Sequence, residues 1–145
     1  MTGRVLGVDL GSRRIGLALS DPTRTVASPH EVLTRGADPT ADRAAVVAVA
    51  REAGATTIVV GLPLSLSGKV GPAAKAALAE IDALREAAAP AGIDVRAHDE
   101  RLTTVTAERS LDEARVKRDA RTRVVDKVAA AVMLQSWLDG EMTRA

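Results

Sequence analysis

Three acidic residues of this chain occupy segments that otherwise have the composition of buried elements. Asp9 lies within an apolar run that is predicted to form a buried strand, and Asp126 lies within an apolar helix near the C-terminus. Glu100 comes just after a further predicted strand. Burying a carboxylate costs free energy unless a cation or hydrogen-bond donors compensate for it. The three positions therefore indicate metal ligands or catalytic acids.

Each of these acids also has a plainer interpretation. Asp9 could start the turn at Gly11, and Glu100 could belong to an acidic turn that pairs with Arg101. Asp126 could be one charged step on a solvated helix face. Its helical stripe is otherwise apolar, however, and contains Ala130, Met133 and Trp137. An acid at the top of such a stripe should point at the sheet rather than at water.

The chemistry open to three converging carboxylates is that of a divalent cation. Without a metal ion the three charges would repel each other and raise each other's pKa. Mg²⁺ or Mn²⁺ reverses that effect, because hard cations prefer oxygen ligands. Such a cluster can hold two ions that activate a water molecule and stabilise the leaving oxygen of a phosphodiester. The expected cofactor is therefore Mg²⁺ or Mn²⁺, in a two-metal site.

The rest of the chain predicts the elements that would bring these acids together. Short apolar or β-branched runs predict five strands, at residues 4–10, 15–20, 26–33, 56–60 and 93–98. Helical periodicity predicts helices at residues 39–53, 72–89, 103–114 and 124–138, the last of them buried and stopped at Gly140. We expect a loop at residues 61–71 and a basic connection at residues 115–123.

This order of elements predicts an α/β fold. A meander of antiparallel strands followed by strand–helix alternation gives one mixed five-stranded sheet, with parallel later strands and helices on both faces. The first and last strands should be parallel, so Asp9 and Glu100 would meet at the carboxyl edge where ligands bind. Pro29 cannot donate to a ladder, so the third strand should be an edge strand. We expect one domain over residues 1–140 and a short tail at residues 141–145.

Composition excludes several classes of protein. A chain of 145 residues with 46% hydrophobic residues is one packed domain rather than a disordered polymer. With one Trp and neither Phe nor Tyr, it has no aromatic platform for stacking bases. With no Cys, it has no disulfide, zinc ribbon or thiol nucleophile, which fits a reducing cytoplasm. We expect no membrane span and no signal peptide, because no apolar run is long enough and Asp9 interrupts the first one.

Local clusters of basic residues offer contacts for a polyanion, although the net charge is only +1. Just before Asp126, five basic residues stand against Asp119 alone: Arg115, Lys117, Arg118, Arg121 and Arg123. They would form either a solvated connection or a phosphate clamp without fixed structure in the free protein. Further candidate contacts to nucleic acid are Arg13, Arg14, Lys69 and Arg101. Without such contacts the carboxylates would repel a nucleic acid.

Four separate motifs resemble one known family. They read GVDLGSRRIGLALSD at residues 7–21, GLPL at 61–64, DERLTT at 99–104 and VDKVAA at 125–130. Their order and spacing are similar to those of the YqgF-type, Holliday-junction-resolvase-like family over nearly the whole chain. Four motifs in the right order are far more specific than any one of them.

The resemblance implies an RNase H-like fold and a nuclease that depends on divalent metal in the bacterial cytoplasm. It also implies a family role in maturing the 5′ end of pre-16S ribosomal RNA, with resolution of Holliday junctions in branched DNA as the older alternative. The family's acidic triad falls on Asp9, Glu100 and Asp126. Dimerisation through Cys, which some relatives use, is closed to this chain. We therefore expect a monomer or a weak homodimer.

Two rival functions remain at the level of sequence. The Asp9–Ser12 segment also resembles the phosphate loop of actin-like ATPases and sugar kinases, but those enzymes need two such domains and roughly twice this length. A non-catalytic RNA-binding module is the other rival, and loss of one of the three acids would have favoured it. Measuring cleavage and binding separately for Asp9→Asn discriminates between a nuclease and a binding module.

Overall fold

A computed structural model of the protein describes residues 3–62, 71–99 and 118–144. The strands are β1 (Arg4–Leu10), β2 (Arg14–Ser20), β3 (Ala27–Thr34), β4 (Ala55–Leu62) and β5 (Asp94–Asp99). The helices are α1 (Pro39–Glu52), α2 (Pro72–Ala88), which continues into a 3-10 turn (Ala89–Ala91), and α3 (Arg118–Arg144). All five predicted strands are present, and the helix predicted at residues 103–114 lies outside the described residues.

The five strands form one mixed sheet in the order β3-β2-β1-β4-β5. β1 pairs antiparallel with β2, and β2 pairs antiparallel with β3. β1 pairs in parallel with β4, and β4 pairs in parallel with β5. The predicted fold class is confirmed, and β3, which contains Pro29, is an edge strand as predicted.

Each face of the sheet packs against different helices. On one face, Leu6 and Val8 of β1 share a buried core with Val46 of α1 and Ile81 of α2. On the other face, alternate residues of the sheet, including Val5, pack against α3, where Ala130, Met133, Leu134 and Leu138 are buried. This alternation follows from the two-residue period of a strand. It divides the sheet into an α1/α2 face and an α3 face.

The start of α1 follows its sequence signals. Asp38 is the N-cap, and its side chain accepts a hydrogen bond of 3.0 Å from the backbone N–H of Thr40. Pro39 occupies the first helical position, where its missing N–H costs nothing. The helix ends at Glu52, before Gly54, which has φ +76°. Gly54 thus ends the helix as the sequence predicts.

Three predicted boundaries are wrong. β4 extends through Gly61 and Leu62, which the sequence pattern assigned to a loop, because both residues pair with β5. The basic segment predicted as a connection is helical from Arg118, since Arg, Ala and Asp can all continue a helix.

The third wrong boundary is at the C-terminus. Gly140 does not end α3, which continues to Arg144 through most of the predicted tail. Gly140 is exposed, and a glycine inside an exposed helix costs only about 1 kcal/mol relative to Ala. Over the described residues, no helix has the length and apolarity needed to cross a membrane.

Candidate active site

Asp9 faces α3 near the carboxyl end of β1. In the antiparallel ladder Asp9 is directly opposite Gly16, and directly opposed residues project from the same face of a sheet. The face is identified by Gly16, because a side chain built there would run into α3. Asp9 is half-buried. The first candidate acid is therefore on the side of the sheet that α3 covers.

Asp126 lies on the other side of Gly16. A Cβ atom added to Gly16 would overlap the carbonyl oxygen of Asp126 and would lie 2.6 Å from its carbonyl carbon. The backbone of α3 at Asp126 thus rests directly on the backbone of β2. Since Gly16 is also the ladder partner of Asp9, the two acids flank the same glycine. Only a residue without a side chain permits this approach.

The Asp126 carboxylate has a cationic neighbour. Arg14 Nη1 lies 3.7 Å from Asp126 Oδ2, and the two side chains are 31% and 24% exposed. Partial burial raises the pKa of Asp126 above its usual value, and the positive charge of Arg14 opposes that rise. Burial is the larger of the two effects, so the pKa of this carboxylate stays above its usual value.

Gly61 and His98 share a row of the sheet with Asp9. The registers that pair Val8 with Val60 and Gly61 with His98 place Asp9, Gly61 and His98 in one row across three strands. The side chain of His98 reaches α3, where its Nε2 lies 3.1 Å from Ser136 Oγ. His98 is thus a strand residue whose side chain has a hydrogen-bond partner on α3.

Only some of the predicted nucleic-acid contacts belong to the described residues. Arg13 is exposed in the β1–β2 turn, and its carbonyl oxygen accepts a 2.8 Å hydrogen bond from the N–H of Arg35. Three of the predicted contacts, Arg118, Arg121 and Arg123, belong to the first turns of α3 by their backbone. The remaining predicted residues lie outside the described residues: Lys69, Glu100, Arg101, Arg115 and Lys117. Within residues 3–62, 71–99 and 118–144, no three acidic or histidine side chains are grouped as a metal site.

Two features of the site were missed at the level of sequence. Gly16 was included in a motif, but its structural role was not predicted. An isolated glycine inside an apolar strand is the signal for a close backbone approach, and that signal was available. The Arg14–Asp126 ion pair had no such signal, because it joins residues from opposite ends of the chain.

Two cavities formed by described residues lie away from Asp9 and Asp126. A groove of about 580 Å³ lies between α1 and α2, lined by Val47 and Ala83 among others, on the face of the sheet that Asp9 does not share. A smaller cavity of about 380 Å³ includes Leu10 and Ser12, again with α2. The half-buried acids Asp9 and Asp126 line neither of these cavities.

Comparison with known proteins identifies relatives over almost the whole chain. The family model described as "RuvX: Holliday junction resolvase" matches residues 3–140. A protein of Kineococcus radiotolerans is 47% identical over 138 residues, which cover 95% of this chain and 72% of the relative. A protein of Roseiflexus sp. (strain RS-1) is 41% identical over 139 residues, which cover 96% of both chains. Both relatives carry the name "Putative pre-16S rRNA nuclease".

Two solved structures with similar folds are Holliday junction resolvases. Thermus thermophilus RuvC in complex with a Holliday junction substrate matches with a TM-score of 0.58 at 19% identity, covering 96% of this chain and 95% of that one. The yeast mitochondrial Holliday junction resolvase Ydc2 matches with a TM-score of 0.50 at 11% identity, covering 94% and 79%. At these identities the likeness establishes the RNase H-like fold alone.

Proposed function

We propose, from the premise that this chain belongs to the RuvX family of resolvase-like nucleases, that it hydrolyses phosphodiester bonds at the edge formed by Asp9 and Asp126. The family is one of nucleases, so the chain is a hydrolase of nucleic acid. Its proposed catalytic residues and metal ligands are Asp9, Glu100 and Asp126. We include Glu100 because it belongs to a family motif and follows Asp99, the last residue of β5.

The observation that carries this proposal is the position of Gly16 between two acids. Asp9 is its ladder partner, and the Asp126 backbone rests on it from above. In directly opposed residues the two Cβ positions are about 4.5–5.5 Å apart. The Cβ of Asp9 is therefore about this far from the Cβ position of Gly16, where the Asp126 carbonyl group lies. A solvated helix face would not need such a contact, which argues against the plainer interpretation of Asp126.

The donor set fits a hard divalent cation. Asp9 and Asp126 offer carboxylate oxygens, the ligands that Mg²⁺ and Mn²⁺ prefer. Asp9, Glu100 and Asp126 would hold the cation. When bound, one or two such ions supply an activated water molecule and stabilise the leaving oxygen. We propose Mg²⁺ or Mn²⁺ as the cofactor.

Other residues of this chain would bind and orient the substrate. Arg14 and the exposed Arg13 stand at the β1–β2 turn, next to the acids, and would contact phosphates flanking the scissile bond. The proposed set of further contacts is Lys69, Arg101, Arg115, Lys117, Arg118, Arg121 and Arg123. These cations would offset the repulsion between the carboxylates and a polyanion. They read the backbone of the substrate rather than its bases.

The proposed physiological substrate is the precursor of 16S ribosomal RNA, cleaved at its 5′ end in the bacterial cytoplasm. It is supported by relatives that carry this name at 41% and 47% identity. The family description names Holliday junctions instead, so branched DNA is the second substrate to be tested. We propose that the protein acts as a monomer or a weak homodimer.

The test compares three substrates and three variants. Metal-dependent cleavage is measured on precursor 16S RNA, on an unrelated single-stranded RNA and on a four-way DNA junction. Asp9→Asn and Asp126→Asn should abolish cleavage but retain binding. Asp82→Asn is the control, because Asp82 is an exposed acid of α2 that pairs with Arg85 on the opposite face. Full cleavage by Asp9→Asn or Asp126→Asn would overturn the proposed site, and binding without cleavage by the parent would support a binding module.

A further inference from the structure

We propose that Arg14 couples the binding of the cation to the binding of the substrate phosphate. Arg14 pairs with the Asp126 carboxylate, one of the proposed cation ligands. If a divalent cation bound that carboxylate, the guanidinium would be free to contact a phosphate of the substrate. The coupling rests on the nuclease function proposed above and adds to it a defined role for one side chain.

The ion pair has the geometry of an interaction that can be exchanged. Arg14 Nη1 and Asp126 Oδ2 are 3.7 Å apart, longer than the about 2.7–2.9 Å of a charge-assisted hydrogen bond. The two side chains are 31% and 24% exposed, so a solute can reach both. A partly exposed pair at this distance is weak, and its separation therefore costs little free energy.

The backbone of Arg14 is fixed, so the exchange involves its side chain alone. Arg14 is the first residue of β2, and its carbonyl oxygen accepts a 2.9 Å hydrogen bond from the N–H of Gly11, which closes the turn. Arg14 precedes Gly16 by two residues and therefore projects from the same face of the sheet. The Arg14 side chain thus starts from a fixed backbone position beside Asp126, and its guanidinium can move between the carboxylate and a substrate phosphate.

Electrostatics then links the two binding steps. A divalent cation on Asp126 repels the guanidinium and neutralises the charge that attracted it. The released guanidinium has planar donors that match two oxygens of a phosphate. Such coupling is reciprocal: the cation strengthens binding of the nucleic acid, and the nucleic acid strengthens binding of the cation by the same factor.

The first measurement is the dissociation constant for Mn²⁺ in the absence of nucleic acid. It is obtained by titration, with the electron paramagnetic resonance signal reporting the concentration of free Mn²⁺. Arg14→Gln should bind Mn²⁺ about 2- to 5-fold more tightly than the parent, because a competing cation has gone. Arg14→Lys keeps the charge and should remain close to the parent. Arg51→Gln is the control, because it removes the same charge from an exposed position of α1, on the other face of the sheet, and should leave Mn²⁺ affinity close to that of the parent.

The second measurement repeats the titration with a short single-stranded RNA that gel analysis shows to stay intact. In the parent and in Arg51→Gln, the RNA should tighten Mn²⁺ binding. In Arg14→Gln, that tightening should be largely abolished. Weaker or unchanged Mn²⁺ binding by Arg14→Gln without RNA would mean that Arg14 only orients Asp126, and the coupling would be wrong. Failure of the parent to bind Mn²⁺ would instead overturn the proposed metal-dependent function, and the coupling with it.

Discussion

Gly16 and Asp126 are in backbone contact, although they come from opposite ends of the chain. No Cβ fits at Gly16, because it would overlap the Asp126 carbonyl group. The contact is made by main-chain atoms, which cannot move aside as the end of a flexible side chain can. The position of the Asp126 carboxylate relative to Asp9 therefore depends on a residue that carries no functional group.

Replacing Gly16 with alanine should affect the rate of cleavage more strongly than the stability of the fold. The added methyl group lifts α3 at Asp126, and a displacement of about 1 Å at a catalytic group can cost about 100-fold in rate. We expect kcat to fall by about that factor with a smaller change in KM. The measurement is steady-state cleavage together with thermal unfolding.

The matched control for this substitution is Gly7→Ala. A Cβ on Gly7 would lie 2.8 Å from Leu134 Cβ, so this variant also crowds α3, but about two turns away from Asp126. It should lower the melting temperature and leave kcat close to the parent's. Equal reductions of kcat in the two variants would show that Gly16 matters only for stability.

A divalent cation should stabilise the folded protein. A ligand that binds only the folded state adds about 2.7 kcal/mol to the free energy of unfolding at about 100 times its dissociation constant. Thermal unfolding with increasing Mn²⁺ should show a rising melting temperature for the parent and for Asp82→Asn, but not for Asp126→Asn. If millimolar Mn²⁺ left the melting temperature of the parent unchanged, the proposed ligand set would be wrong.

Asp21 should make stability depend on pH in the acid range. Its carboxylate accepts hydrogen bonds from Thr23 Oγ1, from Thr25 N at 2.7 Å and from Val26 N at 2.9 Å. These hydrogen bonds, that of Thr23 first, lower the pKa of Asp21 from 3.8 to about 2. Because the folded-state pKa is depressed, the contribution is fully present above about pH 4 and disappears as the pH falls towards 2.

Asp21→Asn tests this window. Urea unfolding at several pH values should show the parent to be more stable than the variant at about pH 6, with a difference that shrinks between about pH 4 and 2. A difference that stays constant down to pH 2 would mean that the turn does not favour the ionised carboxylate. No catalytic assay is needed, since this turn is at the other end of β2 from Arg14.

The first turns of α3 should bind phosphate. Arg118→Ala/Arg121→Ala should weaken binding of single-stranded RNA and flatten the logarithmic dependence of affinity on salt, by about 0.7 for each phosphate that is no longer neutralised. Cleavage at saturating substrate should change much less, because these interactions exist in both the ground and transition states. Alanine preserves the helix, so the change is one of charge.

The control for that pair is Arg51→Ala, on α1 across the sheet, which should leave the salt dependence as in the parent. Dissociation constants at three or more salt concentrations give the slopes. A slope that the double variant leaves unchanged would assign phosphate binding to Arg13 and Arg14 instead.

Local patterns were enough to predict the sheet, because its signals are short-range. The apolar runs of the strands, the Asp38 cap and the edge position of Pro29 each follow from a few neighbouring residues. The extension of β4 through Gly61 was not predictable in this way, because glycine reads as a loop until its pairing with His98 is known.

The candidate site was predictable in its residue types but not in its construction. Acids within apolar segments singled out Asp9 and Asp126, and both lie at the α3 face. Their arrangement around Gly16 depends on how α3 crosses the sheet, which no local pattern encodes. The prediction for the basic segment was wrong for a related reason. Repulsion between its charges suggested a loop, but the C-terminal helix extends back to Arg118.

The edge strand β3 also bears on how the protein behaves at high concentration. An unpaired strand edge is a template for adding strands of other molecules, which leads to aggregation. Here Pro29 removes one donor from the ladder, and the pairing with β2 shifts register between Leu17 and Ala18. The side chain of Gln135 on α3 accepts a 2.8 Å hydrogen bond from Ala27 N–H through its Oε1. Its Nε2 donates a 2.9 Å hydrogen bond to the carbonyl oxygen of Thr25. A helix side chain and a proline thus reduce the number of backbone groups at the start of this edge that a strand of another molecule could pair with.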